Sequence, residues 1–208
     1  MIHISETAND ILKNAFPDTR IFTRQGRTYG AVDAHPDMYM CAFRDGTVDH
    51  ADLSEIGENY PQNIAYNAVC LDKYFIHNLK YTSPKLLNEA QDHGLIPVNV
   101  RQGYTKCSCV VVNGNSIITS DEGIYKTLST VEDIDVLKIR EGHVNLDGFA
   151  YGFLGGTSGL VGNELVFAGN ITKHPDYAKI YEFCMSKNVK IRYFDFPLQD
   201  IGSIIEEK

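Results

Sequence analysis

The chain has 208 residues, of which 43% are hydrophobic, and it carries a formal net charge of −8 at neutral pH. An acidic chain without clusters of Lys and Arg is a poor match for a nucleic-acid backbone, and its apolar runs are too short to span a bilayer. The polar opening MIHISETAND lacks the basic-then-apolar order of a signal peptide, so we expect a cytoplasmic protein with no nucleic-acid or membrane partner.

The N-terminal region predicts a helix, a strand and a hairpin. The helix covers roughly 6–15 and the strand RIFTRQ covers 20–25, and the hairpin spans 38–51 with Asp45-Gly46 at its turn. No helix pattern follows this hairpin, because SEIGENYPQN, residues 54–63, is typical of a loop. We therefore expect an incomplete unit here.

The rest of the chain repeats one pattern three times: a hairpin, then a helix, then a strand. The first unit has a hairpin at 67–78, a helix at 83–93 and a strand at 95–100. The second has a hairpin at 107–120, a helix at 122–128 and a strand at 135–139. The third has a hairpin at 158–170, a helix at 175–187 and a strand at 189–194. The turns of these hairpins contain Asp72-Lys73, Asn113-Gly114 and Gly162-Asn163. We expect type I′ turns at the Asp-Gly and Asn-Gly pairs, Asp45-Gly46 and Asn113-Gly114, because these pairs favour positive φ at both central residues. A final segment, LQDIGSII, is expected to supply a strand that completes one of the units.

The repeated unit also predicts the architecture. A ββαβ unit cannot bury its apolar strands alone, whereas repetition around an axis buries them all and leaves few exposed edges. We therefore predict one domain over residues 1–208, an α/β propeller of ββαβ repeats. An open three-layer α/β sandwich is the alternative, and a parallel βαβ sheet fits less well because it would contain fewer tight hairpins.

Four stretches carry a resemblance to a known fold: GYTKCSCVVVNGNSIITSDEGI, GFAYGFLGGTSGLVGNELVFAGNI, HPDYAKI and LQDIGSII. From about residue 67 to its C-terminus, the chain resembles a bacterial family of the guanidino-group-modifying enzyme fold, the pentein, whose own chemistry is not established. The resemblance implies a five-bladed α/β propeller. The wider superfamily contains arginine and agmatine deiminases and dimethylarginine hydrolases, and also a ribosome anti-association factor that is not an enzyme.

The resemblance implies candidate catalytic residues. The enzymes use a late Cys nucleophile, a His general base and paired acids that hold the guanidinium. Here His143 and Asp147 precede the glycine-rich stretch, although with a different spacing, and Ser158 stands with Thr157 where the enzymes have their Cys. The candidate nucleophiles are therefore Cys107 or Ser158. The enzymes also have a pair of acidic residues in their middle unit, and this pair is missing here. The same region carries Lys106, whose positive charge would repel a guanidinium.

The glycine-rich stretch GFAYGFLGGTSGLVGNE, residues 148–164, matches no phosphate loop, dinucleotide fingerprint or nucleophile elbow. Two interpretations remain open. The favoured one is close packing of backbones, and the other is a ligand site lined by backbone N–H groups. The second makes Gly155, Gly156 and Thr157 candidate ligand-binding residues.

Polar residues also lead into the predicted hairpins. In a propeller these positions converge on the axis, so we expect one pocket for a small polar ligand. Its candidate residues are Asp37, Asn67, Lys106 and Ser158, with Asp200 near the C-terminal strand. We predict no cofactor and no metal site, because two HPD fragments lack a metal-ligand pattern and the five cysteines are expected to be buried, reduced thiols.

Two functions follow from these residues. The missing late Cys favours a non-catalytic protein that binds a small molecule or a partner. The alternative is a hydrolase acting on an amidino, guanidino or amide group, with His143 and Asp147 in acid–base roles and Cys107 or Ser158 as nucleophile.

Overall fold

A computed structural model describes all residues 1–208, which form a mixed α/β structure of five small sheets. The strands are β1 (Ile2–Ser5), β2 (Thr19–Phe22), β3 (Met40–Ala42), β4 (Val48–His50), β5 (Val69–Cys70), β6 (Tyr74–His77), β7 (Ile96–Asn99), β8 (Cys109–Asn113), β9 (Ser116–Thr119), β10 (Asp135–Lys138), β11 (Ser158–Val161), β12 (Glu164–Phe167), β13 (Lys190–Arg192) and β14 (Ile205–Glu206). The helices are α1 (Asp10–Lys13), α2 (Pro84–Asp92), α3 (Thr105–Ser108), α4 (Glu122–Leu128) and α5 (Tyr177–Ser186). None of these helices has the length and apolar character needed to cross a bilayer.

Four of the five sheets share one connectivity, in which an antiparallel pair is followed by a helix and a parallel strand. The sheets β5-β6-β7, β8-β9-β10 and β11-β12-β13 confirm the three predicted hairpin–helix–strand units. The fourth sheet, β14-β1-β2, joins the two ends of the chain, because β14 pairs antiparallel with β1 and β1 pairs parallel with β2. The fifth sheet contains only β3 and β4, in the region predicted to be incomplete.

The prediction of type I′ turns is wrong. Such turns need positive φ at both central residues, but no Asn, Asp or Lys of the four hairpin turns has one. In the first turn only Gly46 does, with φ +96°, while the Asp45 carboxylate accepts a hydrogen bond from Thr47 N at 2.9 Å. Asn113 in the third turn likewise accepts from Asn115 N at 3.0 Å. These side-chain acceptors turn the backbone locally without a left-handed Asx residue.

The helix boundaries follow their capping residues. Ser83 Oγ accepts from the third residue of α2, and Gly94 with φ +72° follows the end of this helix, as predicted. Helix α4 has its predicted bounds, whereas α1 begins only after Asn9, whose side chain caps it. Helix α5 begins after Asp176, whose side chain does not cap it, since its carboxylate accepts instead from Arg140 N at 2.8 Å.

Buried side chains form four hydrophobic clusters between the helices and the sheets. The largest contains Leu86 and Ala90 of α2 together with Phe75 of β6, and another contains Ile180 and Cys184 of α5. All five cysteines are buried and unpaired, which confirms the prediction of buried thiols.

Candidate functional site

One pocket of about 130 Å³ is lined by the edge strand of every sheet: β3, β5, β8, β11 and β14. Neighbouring edge strands also contact one another, β11 against both β8 and β14, and β3 against β5. The residues that line the pocket include the exposed hairpin-turn residues Arg44 and Gly162, and also Lys106 of α3 and Ser158, the first residue of β11. Lys106 is half-buried and its ammonium contacts the fully buried Ser203, so we call the part of the pocket at Lys106 and Ser158 its inner end.

Beside this inner end, Asp37, Asn67, Cys107 and Ser203 form a buried hydrogen-bond network, which we call the polar cluster. Ser203 Oγ donates to Asp37 Oδ2 at 2.7 Å, and the Cys107 thiol donates to the same oxygen at 3.2 Å. Asn67 Nδ2 donates to Cys107 Sγ at 3.2 Å. All four residues are at most 3% exposed, so the network is shielded from solvent. Lys106 Nζ donates to Ser203 Oγ at 2.8 Å and thereby connects the polar cluster to the pocket.

The polar cluster is assembled from the segments that lead into the edge strands. Asn67, Cys107 and Ser203 each lie two positions before the first residue of β5, β8 and β14, and Gly156 has the same position before β11. Backbone hydrogen bonds join these segments, for example Lys106 N to Asn67 O at 3.1 Å and Ser203 N to Gly156 O at 2.8 Å. The fold therefore brings together residues that are far apart in sequence.

Burial sets the protonation state of the polar cluster. It raises the pKa of Asp37, and the opposing effects of His35 and Lys106 are smaller. It also raises the pKa of Cys107 well above its usual value, and the charges of Asp37 and Asp200 raise it further. The thiol is therefore protonated at neutral pH and is a weak nucleophile.

Asp200 and His35 lie next to the polar cluster and are both buried. The Asp200 carboxylate accepts from Phe153 N at 2.9 Å and from Gly202 N at 3.1 Å, and burial raises its pKa to about 6. Burial lowers the pKa of His35 to about 4, so its imidazole is neutral at pH 7. His35 Nδ1 lies 3.8 Å from Asp200 Oδ1 and has no hydrogen-bond partner.

Close packing explains the two glycines just before β11, Gly155 and Gly156. A Cβ atom at Gly155 would lie 2.5 Å from the carbonyl oxygen of Cys107, and one at Gly156 would lie 2.0 Å from Asp200 Oδ1. Thr157 is buried, and its hydroxyl donates to Leu154 O at 2.8 Å. Gly155, Gly156 and Thr157 therefore lie beside the polar cluster but do not line the pocket.

The structure does not bring His143 and Asp147 to Cys107. Both side chains are exposed, and neither forms a hydrogen bond with the thiol. His143 has φ +63° in the loop after β10 and its ring lies 5.5 Å from that of His174, whereas Asp147 lines a separate pocket. Ser158 Oγ donates to Gly155 O at 3.1 Å and has no basic group in hydrogen-bond contact. The expected nucleophile, base and acid are therefore not joined by hydrogen bonds, although Asp147 shares its pocket with His35 and Asp200.

A family model described as a family of unknown function (DUF6873) matches residues 50–205, which is most of the chain. The chain belongs to this family. No curated protein matches it. The matched segment of the DUF6873 family includes Asn67, Lys106, Cys107 and Ser203, whereas Asp37 precedes it.

Sequence reasoning missed two residues of this DUF6873 chain, Ser203 and His35. Ser203 is fully buried and has φ +72°, an unusual backbone conformation for a residue other than glycine. Ser203 lies two residues before the first residue of its edge strand, as Asn67 and Cys107 do, so this spacing identifies it. The sequence pattern instead selects Asp200, three residues before Ser203, because LQDIGSII predicts a longer strand than β14.

Proposed function

We propose that the chain is a non-catalytic protein that binds a small ligand, built as a single pentein-like α/β propeller of five units over residues 1–208. The propeller is supported by the five small sheets, by the connectivity that four of them share, and by the pairing of β14 with β1. The pocket between the edge strands of all five sheets is where the axis of such a propeller would lie. The five unpaired thiols fit a reducing compartment, and we propose a cytoplasmic location.

The observation that carries the ligand-binding function is the position of Lys106. Lys106 lines the inner end of the pocket, and its ammonium group has one hydrogen-bond partner, Ser203 Oγ. A lysine ammonium has three N–H donors, so two remain for a ligand. A half-buried cation that is not in contact with a carboxylate has lost part of its hydration without an ion pair in return. A bound polar or anionic group would supply the missing partner.

The arrangement gives no support to the hydrolase alternative. The base that this alternative assigns, His143, makes no hydrogen bond with Cys107, whose side-chain partners are Asp37 and Asn67. Burial and negative charge favour the protonated thiol, whereas catalytic cysteines have a lowered pKa. His143 and Asp147, the proposed acid–base pair, are exposed. Binding without turnover is therefore the function that fits the geometry best.

A screen of small metabolites by differential scanning fluorimetry tests the binding function. We expect at least one chemical class to raise the melting temperature of the wild type. The Ala42→Leu variant, which fills the pocket wall at β3, should lose this response, while the same change at the exposed Ala150, outside the pocket, should keep it. The ligand should remain unchanged by NMR after prolonged incubation. Ligand consumption that Cys107→Ser abolishes would instead establish an enzyme.

A further inference from the structure

Two of the five buried thiols touch each other inside the fold. The Sγ atoms of Cys41, in β3, and Cys70, in β5, lie 3.6 Å apart, which places the two sulfur atoms in direct contact. Cys107, Cys109 and Cys184 have no other thiol within hydrogen-bond distance. The fold therefore brings one particular pair of cysteines together from positions that are 29 residues apart in the sequence.

The surroundings of this pair allow a covalent bond between the two sulfur atoms. A disulfide has an S–S length of about 2.05 Å, so the sulfur atoms must approach each other by about 1.5 Å. The strand β3 pairs only with β4, and β5 pairs only with β6, so this approach breaks no hydrogen bond between strands. The only other partner of the Cys41 thiol is Ala68 O at 3.8 Å, and a thiol is a weak donor.

The bond would close a part of the chain that has little regular structure. The only strand that lies wholly between Cys41 and Cys70 is β4, which belongs to the two-stranded sheet. Between β4 and β5, the structure has a single short 3₁₀ helix, Leu53–Glu55. A disulfide that closes such a loop removes conformational entropy from the unfolded chain. Oxidation would therefore fasten the incomplete unit to the first repeated unit and stabilise the fold.

Burial makes the oxidation slow and at the same time directs its product. Cys41 is 1% exposed and Cys70 is 5% exposed, so an oxidant must be small and must enter when the short strands open locally. The contact with Cys41 and burial raise the pKa of Cys70 well above its usual value, and a protonated thiol reacts slowly. When one of the two sulfur atoms has been oxidised, the other is already in contact with it. A disulfide should then form before a second oxidant molecule arrives.

We propose that Cys41 and Cys70 form an oxidation site, at which a hydroperoxide converts the two thiols into a reversible disulfide between β3 and β5. One sulfur attacks the peroxide, whose O–O bond breaks, and a sulfenic acid and one molecule of water or alcohol form. The second sulfur attacks the sulfenic sulfur, and the S–O bond breaks. The leaving hydroxide takes up the proton of the second thiol and becomes water. This reaction does not depend on the proposed binding function, since it needs no ligand.

Peptide mapping after treatment with hydrogen peroxide tests the proposal. The folded wild type is oxidised, its remaining thiols are blocked with N-ethylmaleimide in urea, and it is digested with trypsin without a reductant. Trypsin cuts after Arg27, Arg44 and Lys73, so the disulfide joins peptide 28–44 to peptide 45–73. We expect this linked pair to be the main product and dithiothreitol to restore all five thiols. The oxidised protein should melt about 5–10 °C higher than the reduced protein, in keeping with a closed loop of this length.

Matched proteins and conditions separate the effect of the fold from general thiol oxidation. Cys184→Ser removes a buried thiol that has no thiol neighbour and should still give the linked pair. Cys41→Ser should lose the linked pair and leave a sulfenic acid on Cys70 that dimedone traps. In urea, peroxide should give mixed pairs, because the native contact is absent.

The wild type alone decides the matter if Cys41→Ser does not fold. The proposal is overturned if Cys41 and Cys70 are oxidised to sulfinic acids on separate peptides, or if the main disulfide involves another cysteine. It is also overturned if both thiols stay reduced at peroxide concentrations that oxidise them in urea. The same linked pair as the main product in urea would show that closeness in the sequence, and not the fold, selects it.

Discussion

Asp200 and His35 lie close together in buried surroundings, and they should make folding stability respond to pH in opposite directions. Burial raises the pKa of Asp200 from 3.8 to about 6, which means that the folded protein binds its proton more tightly than the unfolded chain does. The contribution of Asp200 to the free energy of unfolding is fully present below about pH 4 and is lost as the pH rises through 6. A shift of about two pKa units corresponds to about 3 kcal/mol.

His35 has the reverse effect. Burial lowers its pKa from 6.5 to about 4, so the folded protein disfavours the protonated imidazole. Its contribution to the free energy of unfolding is fully present above pH 6.5 and is lost as the pH falls towards 4. The magnitude is again about 3 kcal/mol, so the effects of the two groups largely offset each other between these pH values.

Single substitutions should reveal the two opposing effects. We suggest Asp200→Asn and His35→Gln, each compared with the wild type by urea denaturation at intervals from about pH 4 to pH 7. The chain has no Trp and 12 Tyr, so far-UV circular dichroism or tyrosine fluorescence is the appropriate signal. Asp37 and Lys106 remain in both variants, and the double variant Asp200→Asn/His35→Gln measures how far the two groups, 3.8 Å apart, affect each other.

The sign of each difference is the decisive result. The free energy of unfolding of the wild type minus that of Asp200→Asn should fall by about 3 kcal/mol as the pH rises over this range. The corresponding difference for His35→Gln should rise by about the same amount. Two flat difference curves, or two curves with the same sign, would refute the argument that burial controls these groups.

Three further predictions concern local structure. Ser203→Gly should be more stable than Ser203→Ala by about 1–2 kcal/mol in urea denaturation, because the φ of +72° favours glycine; equal stability would contradict this. Gly159→Ala should destabilise the protein by about 3 kcal/mol or more in the same assay, because its Cβ would lie 1.9 Å from Ile204 O. Gly30→Ala is the control: it has open space around it, so the free energy of unfolding should change by no more than about 0.5 kcal/mol. A chromogenic disulfide reagent should label all five buried cysteines slowly in native buffer and rapidly in urea, and fast native labelling of Cys107 would show a reactive thiol.

The sequence was most informative where structure depends on local signals. The hairpins were found from turn residues between apolar segments, and α2 from Ser83, Pro84 and Gly94, which act through hydrogen bonds and backbone preferences within a few residues. The turn type was less predictable, because Asp45 and Asn113 offer a side-chain acceptor as an alternative to positive φ. Even within these short segments, hydrogen bonding by a side chain competes with the preference of the backbone for positive φ.

The site was harder to predict because its contacts are between distant residues. Asp37, Asn67 and Lys106 were selected as positions that lead into strands, and the structure joins them through Ser203 and Cys107. Whether a given residue faces this cluster depends on the first residue of a strand, which sequence patterns define only to within a few positions. For β14, which contains just Ile205–Glu206, that uncertainty exceeds the length of the strand.

The polar cluster and the pocket have different roles in the proposed binding function. The Asp37 carboxylate holds both Ser203 and Cys107, and Asn67 bonds to Cys107 through its side chain, so these groups fix the segments that lead into the edge strands. Ser203 in turn holds the ammonium of Lys106 at the inner end of the pocket. In the proposed binding function, the hydrogen bonds of Cys107 are therefore structural and Lys106 contacts the ligand. Burial raises the pKa of Cys107, so the protonated thiol prevails in the polar cluster at neutral pH, which is the form least suited to nucleophilic attack.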